Sequence, residues 1–154
     1  MKLWIDADAA PREVKEIVFR AALRLKIETV LVANSMLPPP RGNPFVTAVL
    51  VPGGADVADA HIVEHAVPGD LVITADIPLA AKLVAKQVQV LDPRGEEYGS
   101  HNVGERLAVR NLMDTLRGSG AVTGGGPAPY STKDRHAFAT ALDQILTRLM
   151  KRRR

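Results

Sequence analysis

Apolar and polar positions fall into blocks along this chain, and the period changes from block to block. Residues 2–6 form a short apolar run that ends in a carboxylate, which predicts a first strand. Pro11 suits the opening of a helix. Val14, Ile17, Val18, Ala21, Ala22 and Leu25 follow with helical spacing, so one face of that helix is expected to pack on a sheet. Residues 28–33 are apolar and β-branched, the composition of a buried parallel strand. Residues 34–44 are expected to be a loop, because Pro38-Pro39-Pro40-Arg41-Gly42-Asn43-Pro44 suits neither a helix nor a central strand. Residues 45–51 are a third predicted strand, closed by the turn Pro52-Gly53-Gly54.

The same alternation continues. Residues 56–66 predict a short helix, with Asp56 as its N-cap and Pro68-Gly69 beyond its end. Residues 71–74 predict a fourth strand that stops at Ala75-Asp76, and Pro78 opens a helix to about residue 86. Residues 88–91 predict a fifth strand, followed by the turn Asp92-Pro93-Arg94-Gly95. An amphipathic helix is expected over 103–117. A Gly/Pro-rich connector follows over 118–130. Ser131, with Asp134 three residues on, marks the start of a last helix over 131–150, striped by Phe138, Leu142, Ile145 and Leu149. No internal repeat is visible.

Strands alternating with helices predict an α/β fold with a mainly parallel sheet. Five strands suit a doubly wound, three-layer sandwich of order 3-2-1-4-5, in which strands one and four are neighbours at the switch point. Asp6, Asp8 and Asp76 would all sit just past the C-terminal ends of those two strands, the sheet edge where ligands bind in open α/β folds. Like charges gathered there need a cation or donors to answer them. Asp59 joins the set because it shares the face of its helix with Ile62, Val63 and Ala66, where an unpaired acid is costly. Asp6, Asp59 and Asp76 are therefore the candidate metal ligands and, with Asp8, the candidate catalytic acids. Thr74 is a candidate hydroxyl donor to the same site, and Arg94 a candidate clamp for a substrate phosphate. Two of these acids have a plainer explanation, since Asp8 and Asp76 stand where helix N-caps would fall, but that does not account for Asp6, which continues an apolar strand.

Composition narrows the chemistry. The 154 residues suffice for one domain with a real core. There is no cysteine, which removes disulfides, thiolate zinc sites and a cysteine nucleophile. Three or four carboxylates and no thiol favour Mg²⁺ or Mn²⁺ over zinc, and such a site suits hydrolysis of a phosphodiester in RNA or DNA. The net charge is +3, but the tail Lys151-Arg152-Arg153-Arg154 exceeds that sum by itself, so the basic balance argues only weakly for nucleic acid. Asp6 and Asp8 stand where a signal peptide would need its apolar segment, and no apolar run approaches the ~20 residues of a membrane span. A cytoplasmic protein with no membrane partner is expected. His61-Ile62-Val63-Glu64-His65 matches an inverted zinc-protease pattern, but the helix is too short and lacks an obvious third ligand. Gly124-Gly125-Gly126-Pro127 lacks the ending of a phosphate-binding loop and reads as linker.

Six segments occur in order: Asp6-Ala7-Asp8-Ala9-Ala10-Pro11, Asp56-Val57-Ala58-Asp59, Thr74-Ala75-Asp76-Ile77-Pro78-Leu79-Ala80, Pro93-Arg94-Gly95, Gly125-Gly126-Pro127 and Asp134-Arg135-His136-Ala137-Phe138. Together they resemble the YaiI/YqxD family of bacterial proteins over nearly the whole chain. That family is grouped with PIN-like domains, a class containing metal-dependent ribonucleases and flap nucleases. The resemblance implies a PIN-like fold and carries the acid site onto Asp6, Asp59 and Asp76, with Asp8 as helper. The chain departs from the family pattern at Ala10, where cysteine is usual, and at Ala60, where a second acid is common.

Two other functions fit parts of the pattern. A haloacid-dehalogenase-like phosphatase also begins with a strand ending in D-x-D, its first acid a nucleophile, and Lys82 or Lys86 would have to serve as its lysine. A PIN-like module without catalysis would bind RNA or a protein partner. The last helix is expected to bury its stripe either on its own sheet or against another copy of the chain.

Overall fold

The computed structural model describes residues 1–54, 56–120 and 128–153. Six strands form one sheet: β1 Leu3–Asp6, β2 Thr29–Ala33, β3 Val46–Leu50, β4 Leu71–Ile73, β5 Gln89–Leu91 and β6 Glu97–Tyr98. Five α-helices connect or follow them: α1 Arg12–Leu25, α2 Val57–His65, α3 Ile77–Ala85, α4 Val103–Gly118 and α5 Thr132–Arg153. The strand order is β3-β2-β1-β4-β5-β6. The first five strands run parallel in the order expected. The sheet has six strands rather than five, because β6 folds back antiparallel on β5, pairing Val90 with Tyr98 and Leu91 with Glu97. A two-residue strand with a glutamate at its start carries no periodic signal, so this hairpin was invisible in the pattern.

Alternation along β1 decides which layer each residue meets. Leu3 and Ile5 face one side, where they pack with Val14, Val18 and Ala22 of α1 and Phe138, Leu142 and Ile145 of α5. Trp4 faces the other side, among Ile62 of α2 and Leu79, Ala80 and Leu83 of α3. The sheet thus has a core on each face. The stripe of α5 lies against its own sheet: Phe138, Leu142, Ile145, Leu146 and Leu149 are all buried. At roughly 1.5–3 kcal/mol for each large apolar side chain buried, that stripe is a major part of one core. α4 differs, with none of its side chains fully buried and Val109 and Leu112 exposed.

Several boundaries move by a residue or so. Pro11 occupies the N-cap position of α1 instead of its first turn, and a short 3-10 turn, Ala7–Ala9, lies between β1 and α1. α5 runs through Arg153, so Lys151, Arg152 and Arg153 continue the helix. Ser131 Oγ accepts from the Asp134 N–H while Asp134 Oδ2 accepts from the Ser131 N–H, a reciprocal cap that fixes the start of α5 as expected. Asp56 takes the N-cap position of α2, but with a left-handed backbone (φ 64°) and no side-chain capping bond, which corrects its expected role as a capping acid. The 118–130 connector lies partly outside the described residues, including Gly124-Gly125-Gly126-Pro127. Among the described residues, no helix is long and apolar enough to cross a membrane.

Candidate functional site

The period of β1 places Asp6 on the same face as Trp4, toward α2 and α3. The pairing of Ile5 with Ile73 then brings Thr74, just past β4, beside Asp6. Asp6 is 8% exposed, and its Oδ2 accepts a hydrogen bond from the Thr74 hydroxyl at 3.0 Å. Thr74 is itself buried, and its Oγ1 accepts from the Asp76 N–H at 3.0 Å. Asp76 Oδ1 in turn accepts from the Leu79 N–H at 2.9 Å, so this acid does cap α3. One oxygen caps, and the carboxylate still presses its charge on its neighbours.

Those charges define the site. Burial pushes the Asp6 carboxyl above its ordinary value, the Thr74 hydrogen bond pulls it back, and the charges of Asp76 and Asp8 push it up again. Asp59, half-buried on α2, is pushed up to about 7 by burial, then by the charges of Asp76 and Asp6 and by a hydrogen bond with Asp76. The structure therefore gathers Asp6, Asp59, Asp76 and Thr74 at the switch point between β1 and β4. Among the described residues, no three His, Asp or Glu side chains converge tightly enough to form a ready metal cage. The side chains gathered here present carboxylate oxygens whose like charges crowd one another.

The remaining candidates lie at the rim or elsewhere. Asp8 is exposed, and both its oxygens are engaged: Oδ2 accepts from the Asn34 N–H at 2.7 Å and Oδ1 from the Ser35 hydroxyl at 3.1 Å. It ties the loop after β2 to the end of β1 while contributing charge to Asp6. Arg94 lies after β5, where its guanidinium pairs with Asp134 Oδ2 at 2.9 Å and donates to the Ala128 carbonyl. The Tyr130 hydroxyl donates to the Pro93 carbonyl at 2.8 Å, and Gly95 abuts Ala137. The segments Pro93-Arg94-Gly95 and Asp134-Arg135-His136-Ala137 thus meet in space and dock the start of α5. Two further arginines are likewise paired, Arg106 with Glu96 and Arg110 with Asp114.

Lys15 was not singled out in the sequence, yet its ammonium lies 3.5 Å from the Ala7 carbonyl, on the peptide between the two N-terminal acids. Helix geometry held a faint signal, since Lys15 comes one turn after Pro11 and so near the same sheet edge.

Comparison with known proteins identifies the family. The family described as "Uncharacterized BCR, YaiI/YqxD family" matches residues 4–148. A UPF0178 protein of Geobacter sulfurreducens is 57% identical over 152 residues, covering 99% of this chain and 100% of its own. One from Myxococcus xanthus is 58% identical over 151 residues, covering 98% and 97%, and one from Ectopseudomonas mendocina is 57% identical over 149, covering 97% and 99%. No solved structure matches. With the match spanning both the acid edge and the helix that closes the fold, the chain belongs to the YaiI/YqxD family.

Proposed function

We propose that this chain is a PIN-like, metal-dependent nuclease that hydrolyses phosphodiester bonds at the β1–β4 switch point, with RNA or DNA as substrate. The observation that carries the reading is Asp6, a carboxylate nearly removed from water among two further acids, which accepts only one side-chain hydrogen bond among the described residues. A structural acid of that burial is normally satisfied by several donors or a paired cation. Asp70 shows the contrast in the same molecule: it accepts from the Lys2 and Val67 N–H groups and from the Trp4 indole.

Asp6, Asp59 and Asp76 would hold Mg²⁺ or Mn²⁺. The cation, when bound, supplies Lewis acidity and a water of lowered pKa. The protein's own part is positional. Thr74 fixes the Asp6 carboxylate, the Leu79 N–H fixes Asp76, and Asp8 holds the loop after β2 against the edge. Lys15 offers a positive charge at the rim, where a scissile phosphate would approach.

A second reading, a non-catalytic module binding RNA or a partner, is favoured by one observation: the three acids do not form a closed cage among the described residues. Crystals soaked in Mn²⁺ and measured at the manganese edge separate the two. The nuclease reading expects an anomalous peak among Asp6, Asp59 and Asp76, and cleavage of an RNA or DNA oligonucleotide that Asp6→Asn abolishes. Ordered, accessible carboxylates with no peak at millimolar Mn²⁺ would overturn it in favour of the module.

A further inference from the structure

α1 and α5 pack together over one face of the sheet, and a cavity of about 490 Å³ opens between them. One stripe of each helix lines it. Ile17, Arg20, Ala21 and Arg24 recur at helical spacing on α1, and Arg135, His136, Leu142, Asp143 and Leu146 do so on α5. The floor is apolar, since Ala21, Leu142 and Leu146 are buried, whereas Arg20, Arg24, Arg135, His136 and Asp143 are exposed around it. The docking of α5 uses Asp134, which pairs with Arg94, and Phe138, which is buried in the core. It makes no use of Arg135 or His136, which line the cavity instead. Charge sets what the cavity can hold: three guanidiniums and an imidazole line it against one carboxylate. Arg24 stands 3.9 Å from Asp143, beyond hydrogen-bond reach. Among the described residues Arg20 and Arg135 pair with no carboxylate, unlike Arg94, Arg106 and Arg148.

We propose that this cavity binds a small organic phosphate of the nucleoside monophosphate class. A concave surface of one charge sign focuses the field and concentrates counter-ions. A guanidinium meets phosphate oxygens with two parallel donors, and a phosphoryl group has oxygens enough for both Arg20 and Arg135. The apolar floor takes a flat ring, on which a guanidinium also stacks. Asp143 accepts from ligand hydroxyl groups, which a sugar supplies. The volume lies within the ~300–1,000 Å³ of small-molecule sites, so the occupant is one nucleotide-sized molecule and not a strand. Asp6 faces the other layer of the sheet, with Trp4, so this inference does not depend on nuclease activity.

Calorimetric titration of the full-length protein in EDTA with AMP, GMP, CMP and UMP tests this. At least one of them is expected to saturate at one molecule per chain. Its nucleoside and inorganic phosphate, each carrying part of the recognition, should bind about tenfold more weakly or worse. Arg20→Gln and Arg135→Gln should each weaken the nucleotide about tenfold, the loss of a hydrogen bond to a charged group. Ala139 also lines the cavity. Ala139→Leu fills it without changing charge and should weaken the nucleotide as much, while Asp6→Asn leaves the affinity unchanged. No saturable binding of any of the four would overturn the proposal. So would an affinity that Ala139→Leu leaves intact, because binding would then reflect surface charge alone. An oligonucleotide without terminal phosphates that displaces the nucleotide would overturn it too, in favour of a nucleic-acid track. If a variant fails to fold, amide resonances of the wild-type protein replace it. The nucleotide should shift those of residues 17–24 and 135–146, and shifts elsewhere without these overturn the proposal equally.

Discussion

The Thr74 hydroxyl joins the ends of two neighbouring strands: it donates to Asp6 Oδ2 at 3.0 Å and accepts from the Asp76 N–H at the same distance. One buried oxygen thus orients an acid on each side of the switch point. Thr74→Val keeps the shape and deletes both bonds. It leaves Asp6 buried without its donor, which costs about 1–3 kcal/mol. Urea denaturation at pH 7 should show a loss in that range for Thr74→Val, and Thr74→Ser should recover most of it. Equal losses in the two variants would mean that the methyl packing, and not the hydroxyl, is what the site needs.

Asp59 makes the metal-free protein sensitive to pH in a defined direction. Its carboxyl is raised from an ordinary 3.8 to about 7 in the folded state. The folded protein therefore holds a proton that the unfolded chain releases, and stability falls as pH rises through that interval. The contribution is fully present below about 4 and lost above about 7. Asp59→Asn removes the titration. In EDTA, the Tm difference between Asp59→Asn and wild type should move in favour of the variant as pH rises from 5 to 8. A difference that stays constant over that interval would show that neither burial nor the charges of Asp76 and Asp6 raise the Asp59 carboxyl in solution.

Much of the frame was legible because it rests on periodicity. The apolar run to Asp6, the β-branched run of β2 and the stripe of α5 each follow a period that only one element satisfies, and the expected order of the first five strands follows from their alternation with helices. The convergence of Asp6 and Asp76 was legible for the same reason: strand ends in a parallel sheet lie on one edge, so the two acids come together without any knowledge of contacts. What remained hidden was set by tertiary structure. The β6 hairpin is too short to have a period. The engagement of Arg94 with Asp134 joins residues far apart in sequence, and nothing local to Arg94 separates an ion pair that docks α5 from a clamp open to substrate.

The docking of α5 depends on a residue with no side chain. Gly95 has φ 93°, and a Cβ there would lie 2.7 Å from the Ala137 carbonyl carbon and 2.8 Å from its oxygen. Gly95→Ala therefore meets both a left-handed backbone, about 1–3 kcal/mol of strain, and a collision with backbone that cannot rotate away. The variant should be destabilised by at least that strain in urea denaturation. Hydrogen exchange should locate the loss in the first turns of α5. Wild-type protection in that segment would mean that the turn after β5 yields instead.

Metal addition should reverse the electrostatics of the acid edge. Without a cation, Asp6 and Asp59 are both raised by burial and by neighbouring carboxylates, so their ionised forms cost stability. A cation that prefers the ionised forms turns that cost into binding energy, and its effect must grow with pH because bound protons compete with it. At a concentration 100-fold above Kd, such binding stabilises the folded state by about 2.7 kcal/mol. Thermal denaturation with and without Mn²⁺ at pH 6 and pH 8 should show a larger Tm increase at pH 8. Asp6→Asn and Asp76→Asn should each abolish most of it, and chelation should restore the metal-free Tm. A Tm increase that is equal at both pH values, or that survives both aspartate substitutions, would place Mn²⁺ away from the β1–β4 edge.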